Sequence, residues 1–149
     1  MNIRKALLEE SEKLSELAYE SKAFWGYPKD FLDRCKDDLT VTAEYIKENP
    51  VYLMEDDKKI IAFYSFTLNE KKLDSLFIHP EYIGKGLGKI LWKDLMNKAE
   101  QLNITEFTLD SEPHAEGFYL KMGAKRIGDT PSTIFPGRSL PLLSVNVGR

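Results

Sequence analysis

One cysteine, Cys35, stands in the 149 residues, which rules out an internal disulfide framework and any zinc site built on cysteines. Histidine is almost as scarce, with only His79 and His114, so no metal is expected. No run of about five or six basic residues occurs, the net charge is −3 and the pI lies near 5.5; a nucleic-acid partner is therefore not expected. Long apolar runs are missing too. Nothing reaches the roughly 18 residues of a membrane-spanning helix, and Met1-Asn2-Ile3-Arg4-Lys5 leads directly into patterned sequence instead of a signal peptide's apolar region. The expectation is a cytoplasmic protein without a membrane partner. Its length and 42% apolar content fit one globular domain over 1–149, since domains typically run about 100–150 residues.

What is present is glycine, concentrated where it matters. Residues 77 to 91 read Phe-Ile-His-Pro-Glu-Tyr-Ile-Gly-Lys-Gly-Leu-Gly-Lys-Ile-Leu: a strand runs into Gly84, Gly86 and Gly88, which open an amphipathic helix. Glycine keeps side chains away, so backbone N–H groups and the positive end of the helix dipole can face an anion. Three glycines in the first helical turns would each cost about 1 kcal/mol relative to alanine, which argues for a phosphate cradle. Two familiar phosphate motifs fail here. A dinucleotide-binding GxGxxG begun at Gly84 needs glycine where Lys89 stands, although Asp110 follows at the distance of a ribose-binding acid. A Walker loop ending at Gly88-Lys89 needs glycine at Ile83 and Ser or Thr at Ile90.

Periodicity predicts a first strand over 2–6 and a helix over 8–22, with Leu14, Leu17, Ala18 and Ser21 on its inner face. Ala23-Phe24-Trp25-Gly26-Tyr27-Pro28 reads as an aromatic loop. Helices follow over 29–38 and 42–48, then strands over 51–54, 59–68 and 71–78. The unbroken apolar run of 59–68 implies burial on both faces, in the sheet centre. Leu87, Ile90, Leu91, Leu95, Ala99 and Leu102 repeat at helical spacing over 84–102. A strand over 105–109, a short helix over 113–122 stopped by Gly123, and two last strands complete the chain.

The glycine segment, together with Ala115-Glu116-Gly117-Phe118-Tyr119-Leu120-Lys121-Met122-Gly123-Ala124, resembles the GNAT superfamily of CoA-dependent N-acetyltransferases. The resemblance covers most of the chain and is sharpest over 74–91 and 110–124. It implies an α/β (α+β) fold, a mixed, twisted sheet of about seven strands with helices on both faces. Acetyl-CoA would be the co-substrate, its pyrophosphate held by the backbone of Ile83, Gly84, Lys85, Gly86, Leu87, Gly88 and Lys89. The family carries Arg or Gln where this chain has Ile83, which removes a side-chain contact and leaves the backbone donors. The main chain at Phe77 and Ile78 would bind the pantetheine arm as though it were another strand.

The resemblance also implies direct attack of an amine on the thioester, with Tyr119 assisting departure of the thiolate. Asp74, alternating with Leu76 and Ile78 along its strand, could take the proton that an ammonium substrate must lose; a surface carboxylate beside a turn is the alternative. Glu112 stands near a position where the family often has Asn, and His114 reads as an exposed helix-start residue. Phe24, Trp25, Tyr27 and Arg138, with the loops around Ser132 and Gly137, are the candidates for the acceptor pocket, core packing being the alternative for the aromatics. The acceptor would be an amine of a small molecule or peptide, and a homodimer is left open. A non-catalytic CoA-binding module would keep the glycines without an acceptor pocket. A nucleotide-binding oxidoreductase is disfavoured by the misplaced third glycine.

Overall fold

The computed structural model describes residues 1–147; the last two residues of the 1–149 expectation lie outside them. Seven strands form one sheet: β1 (Asn2–Lys5), β2 (Val51–Asp56), β3 (Lys59–Thr67), β4 (Lys72–Ile78), β5 (Glu106–Asp110), β6 (Lys125–Pro131) and β7 (Ser139–Asn146), in the order β1-β2-β3-β4-β5-β7-β6. Neighbours are antiparallel except β4 and β5. Ile61 to Phe66 are fully buried, as the unbroken apolar run of β3 requires, because helices cover both faces of the sheet.

α5 (Leu87–Gln101) and α6 (Glu116–Lys121) cover one face, where Leu87, Leu91, Trp92 and Leu95 pack with Tyr64, Phe66, Leu73 and Phe107. On the other face lie α1 (Ser11–Ala23), α2 (Lys29–Arg34), α3 (Lys36–Leu39) and α4 (Ala43–Glu48). Here Leu14, Leu17, Leu39 and Ile46 meet Val51, Leu53 and Phe63. α1 buries Leu14, Leu17, Ala18 and Ser21, the face its spacing predicts. The single helix expected over 29–38 is instead two, divided at Cys35, whose N–H is shared between the carbonyls of Phe31 and Leu32. No glycine or proline marks that break. Among the described residues no helix is long and apolar enough to cross a membrane.

Two irregularities shape the site. β4 and β5 run parallel but pair only at Lys72 and Thr108, then separate. Beyond that point the β4 edge facing β5 has no strand partner, so its N–H and C=O groups are free for an extended ligand. The fork is pinned at its base by the ion pair between Lys72 and Asp110, whose other oxygen accepts from Thr130 Oγ1 at 2.6 Å. Asp110, at the distance of a ribose-binding acid in sequence, is thus committed to the sheet.

The second irregularity is a β-bulge in β4. Ser65 faces Ser75 while the next residue, Phe66, faces Leu73, so Asp74 is the extra residue. A bulge breaks the two-residue alternation of a strand. Leu73, Leu76 and Ile78 therefore share the α5 face, while Phe77 joins the α1 core. The expectation that Asp74 shares a face with Leu76 and Ile78 is corrected: Asp74 lines a cavity with Phe77 on the opposite side.

Candidate active site

The glycine loop adopts the geometry of an anion cradle. Gly84 and Gly86 have φ of 84° and 82°, a left-handed conformation costing an L-residue about 1–2 kcal/mol. Both precede α5, which starts at Leu87; the sequence expectation of three glycines inside the helix is corrected for these two. Gly88 does lie in the helix, for a packing reason: a Cβ there would stand 2.9 Å from Cε1 of Phe118 on α6. Among the described residues no backbone carbonyl accepts from the N–H of Gly84, Lys85 or Gly86. The first turn of α5 contains no acidic residue, so nothing opposes the positive end of its dipole.

This loop borders a mostly apolar cleft of about 430 Å³, with Leu76, Ile78, Ile83, Lys89, Phe118 and Tyr119 among its walls. Leu87 is buried and offers only backbone to the loop. Lys85 stays outside the cleft, its Nζ 5.7 Å from the Tyr82 ring centre. Tyr119 is 6% exposed, and its side chain makes no hydrogen bond among the described residues. Burial, and then the Glu112 charge, push its phenol well above the usual tyrosine range. It therefore remains an O–H donor at neutral pH.

Across the fork lies a second cavity of about 400 Å³ with a charged lining that includes Lys22, Asp38, Lys72, Asp74, Asp110 and Arg138, together with Phe31, Phe77 and Phe135. Asp74 accepts from Tyr45 Oη at 2.7 Å, and the same hydroxyl lies 2.8 Å from Ser65 Oγ. Burial raises the Tyr45 phenol above its usual range, which keeps it a donor to Asp74. Phe31 stacks between Tyr27 (4.5 Å) and Phe135 (4.6 Å).

Glu112 ties the walls of the two cavities together. It accepts from Tyr27 Oη, from Lys22 Nζ at 3.0 Å, and lies 2.7 Å from His114 Nδ1. Burial alone would raise its pKa, but the bonds from Tyr27 and His114 and the Lys22 charge prevail and hold it below the usual carboxylate range. Tyr27 responds in the opposite sense, pushed up to about 12 by burial and by its bond to Glu112. Trp25 stacks on His114 at 4.8 Å, with planes 5° apart.

Known proteins match most of the chain. A family model described as an acetyltransferase (GNAT) domain matches residues 7–133. The chain belongs to the GNAT acetyltransferase family. It is 30% identical over 148 residues to the peptidyl-lysine N-acetyltransferase YjaB of Salmonella typhimurium, covering 97% of each chain. Among solved structures, a GCN5-related N-acetyltransferase from Rhodopseudomonas palustris superposes with a TM-score of 0.84 at 18% identity, covering 98% of this chain and 95% of that one. The PaiA N-acetyltransferase of Thermoplasma acidophilum, in complex with coenzyme A, gives a TM-score of 0.78 at 21% identity over 97% and 98%. This GNAT protein is an acetyl-CoA-dependent N-acetyltransferase with an amine as acceptor.

The GNAT chain meets the demands of CoA with free amides, a helix N-terminus and Lys89 at one end of an apolar cleft. Among the described residues no group of three or more His, Cys, Asp or Glu side chains is arranged to hold a metal ion. Of the aromatics expected on the acceptor side, Trp25 lines the cleft beside the glycine loop. Phe24 is exposed, packed edge-on against Trp25 at 5.0 Å, and Tyr27 borders neither cavity. The N–H groups of Phe24 and Trp25 still donate to the carbonyls of Glu20 and Lys22, so the segment continues the last turn of α1 and brings Trp25 to the cleft that the glycine loop borders. Arg138 lines the charged cavity. Phe77 sends its side chain to that same cavity, while Ile78 faces the apolar cleft beside the glycine loop. Lys22, Phe31, Asp38, Tyr45 and Phe135 were missed by sequence reasoning, since none stands in a local motif. The tight apolar spacing of 29–39 was the only hint that Phe31 faces inward.

Proposed function

We propose that the described chain works as one acetyltransferase unit in which acetyl-CoA enters from the glycine-loop side of the fork and the amine from the charged side. The observation that carries this reading is the pair of cavities flanking the split between β4 and β5. A CoA-binding module without turnover would have no need of the second one. When bound, acetyl-CoA supplies a thioester carbonyl open to direct attack.

The backbone of Ile83 to Lys89 holds the pyrophosphate through N–H donors, and the free edge at Phe77 and Ile78 pairs with the amides of the pantetheine arm. Holding both reactants across one fork supplies orientation, worth roughly 7–11 kcal/mol of a barrier when alignment is good. Asp74, held by Tyr45, accepts the proton of the incoming ammonium, directly or through water. Tyr119 donates its hydroxyl proton or a hydrogen bond to the departing sulfur. The N–C bond forms as the C–S bond breaks; of the two protons that the ammonium nitrogen loses, one leaves through Asp74 to solvent and the other replaces the proton that Tyr119 gives to sulfur.

The acceptor is a primary amine of a small molecule or of a peptide, the latter favoured by the likeness to a peptidyl-lysine acetyltransferase. CoA release measured over a panel of amines, amino acids, polyamines and lysine peptides tests the activity. Tyr119→Phe should lower kcat about 10²-fold while leaving CoA affinity unchanged. Full turnover by that variant would remove Tyr119 from the chemistry.

A further inference from the structure

We propose that the acceptor carries a carboxylate of its own close to the amine that is acetylated, and that Arg138 reads it. This inference rests on the N-acetyltransferase reading above and narrows its acceptor. Among the charges lining the acceptor-side cavity, Lys72 is paired with Asp110 and Lys22 with Glu112. Three are left over. Asp38, Asp74 and Arg138 form no ion pair among the described residues.

The leftover charges are separated by sign. Asp38 and Asp74 share a small recess beside Tyr45, of which Arg138 is not a part. Arg138 sits elsewhere, with its guanidinium carbon 4.9 Å from the Phe31 ring centre and 5.7 Å from that of Tyr27. On the same aromatic ladder Arg34 lies 4.8 Å from the Phe135 ring centre, outside the cavity lining, so Arg138 is the leftover cation that faces the cavity. Aromatic faces hold a guanidinium through their quadrupole without neutralising it. The guanidinium also reaches the Tyr27 hydroxyl, and its remaining in-plane N–H donors are left for the oxygens of a carboxylate.

The loop that presents Arg138 is a built turn. The N–H of Ser132 donates to the Arg138 carbonyl at 2.7 Å, the N–H of Arg138 donates to the Phe135 carbonyl at 3.1 Å, and Ser132 Oγ accepts from the N–H groups of Ile134 and Phe135. The cavity thus has a fixed cationic wall and an anionic recess. A ligand bearing both ammonium and carboxylate satisfies each end. A diamine would set a second ammonium against Arg138, and a plain alkylamine would leave Arg138 unanswered, so the arrangement discriminates against both. A free amino acid meets the requirement, and so does a lysine side chain next to an acidic residue or at a peptide C-terminus.

The test measures CoA release with matched pairs that differ only in the carboxylate: glycine, 4-aminobutanoate and lysine against their amides, and a tripeptide ending in lysine against its C-terminal amide. For the best acceptor the free acid should exceed its amide by about tenfold or more in kcat/KM, the size expected of a charge-assisted hydrogen bond. That advantage should shrink toward unity in Arg138→Ala and return in part in Arg138→Lys. Preference confined to the amino acids or to the peptide identifies the source of the carboxylate. Amides that match their acids, or an acid preference that survives Arg138→Ala, would overturn the inference with the acetyltransferase activity intact. Absence of CoA release from every pair, with release from a polyamine or plain amine of the wider panel, would overturn this inference and leave the activity standing; silence across the whole panel would overturn both.

Discussion

The two sides of the fork are made in different ways. On the proposed cofactor side the groups on offer are main-chain ones: free amides at Gly84 to Gly86, a helix N-terminus and an unpaired strand edge, set in an apolar cleft. On the acceptor side they are side chains: Asp38, Asp74, Arg138 and an aromatic ladder, brought together from α2, α3, β4 and the β6–β7 loop. A backbone site depends on conformation and tolerates little but glycine at its left-handed positions. A side-chain site can be rewritten one residue at a time.

Three substitutions probe that division. Asp74→Asn removes the proposed proton acceptor and should lower kcat/KM for the amine about 10²-fold, most strongly at the acidic end of the profile, where free amine is scarce; CoA affinity measured by calorimetry should not change. Equal loss on both substrates would erase the boundary drawn here. Trp25→Ala should act in the opposite direction, raising KM for acetyl-CoA about three- to tenfold and the acceptor's less, because the indole lines the cofactor cleft. A larger rise for the amine would return Trp25 to the acceptor side, where sequence reasoning placed it.

The smallest effect concerns the seam between the two regions. The folded protein holds the Glu112 carboxyl below its usual range, so this group stabilises the fold above its unfolded pKa of about 4.3, and the contribution fades as pH falls through the lower folded value. In Glu112→Gln, unfolding by denaturant should therefore show a modest loss of stability at neutral pH that narrows below about pH 4. A gap that is constant from pH 7 to pH 3 would mean that the Lys22–Tyr27–His114 cluster does not hold Glu112 charged.

The same contrast explains what could be read from sequence. The glycine loop, α5 and the doubly buried β3 are written in contiguous residues whose spacing and conformational demands are local. The bulge at Asp74 is not, because it exists only in the register of β4 against Ser65 and Phe66 of β3. Strict alternation therefore put Asp74 on the wrong face. The division of 29–38 at Cys35 escaped for want of a helix breaker. Glu112 meets Lys22 and Tyr27 across 90 and 85 residues of chain, and the ladder from Tyr27 through Phe31 to Phe135 closes over a similar span. Such contacts are set by topology, and no motif announces them.

Calorimetric titration of CoA into the protein and into Gly86→Asp tests most directly the claim that backbone donors before α5 hold the cofactor. Asp is among the L-residues that best tolerate a left-handed position, so the variant should keep its fold, verified by circular dichroism, while its carboxylate faces the pyrophosphate. The account predicts a loss of CoA affinity of at least about 100-fold, some 2.7 kcal/mol. CoA affinity within twofold of the unmodified protein, in a variant that is still folded, would contradict it.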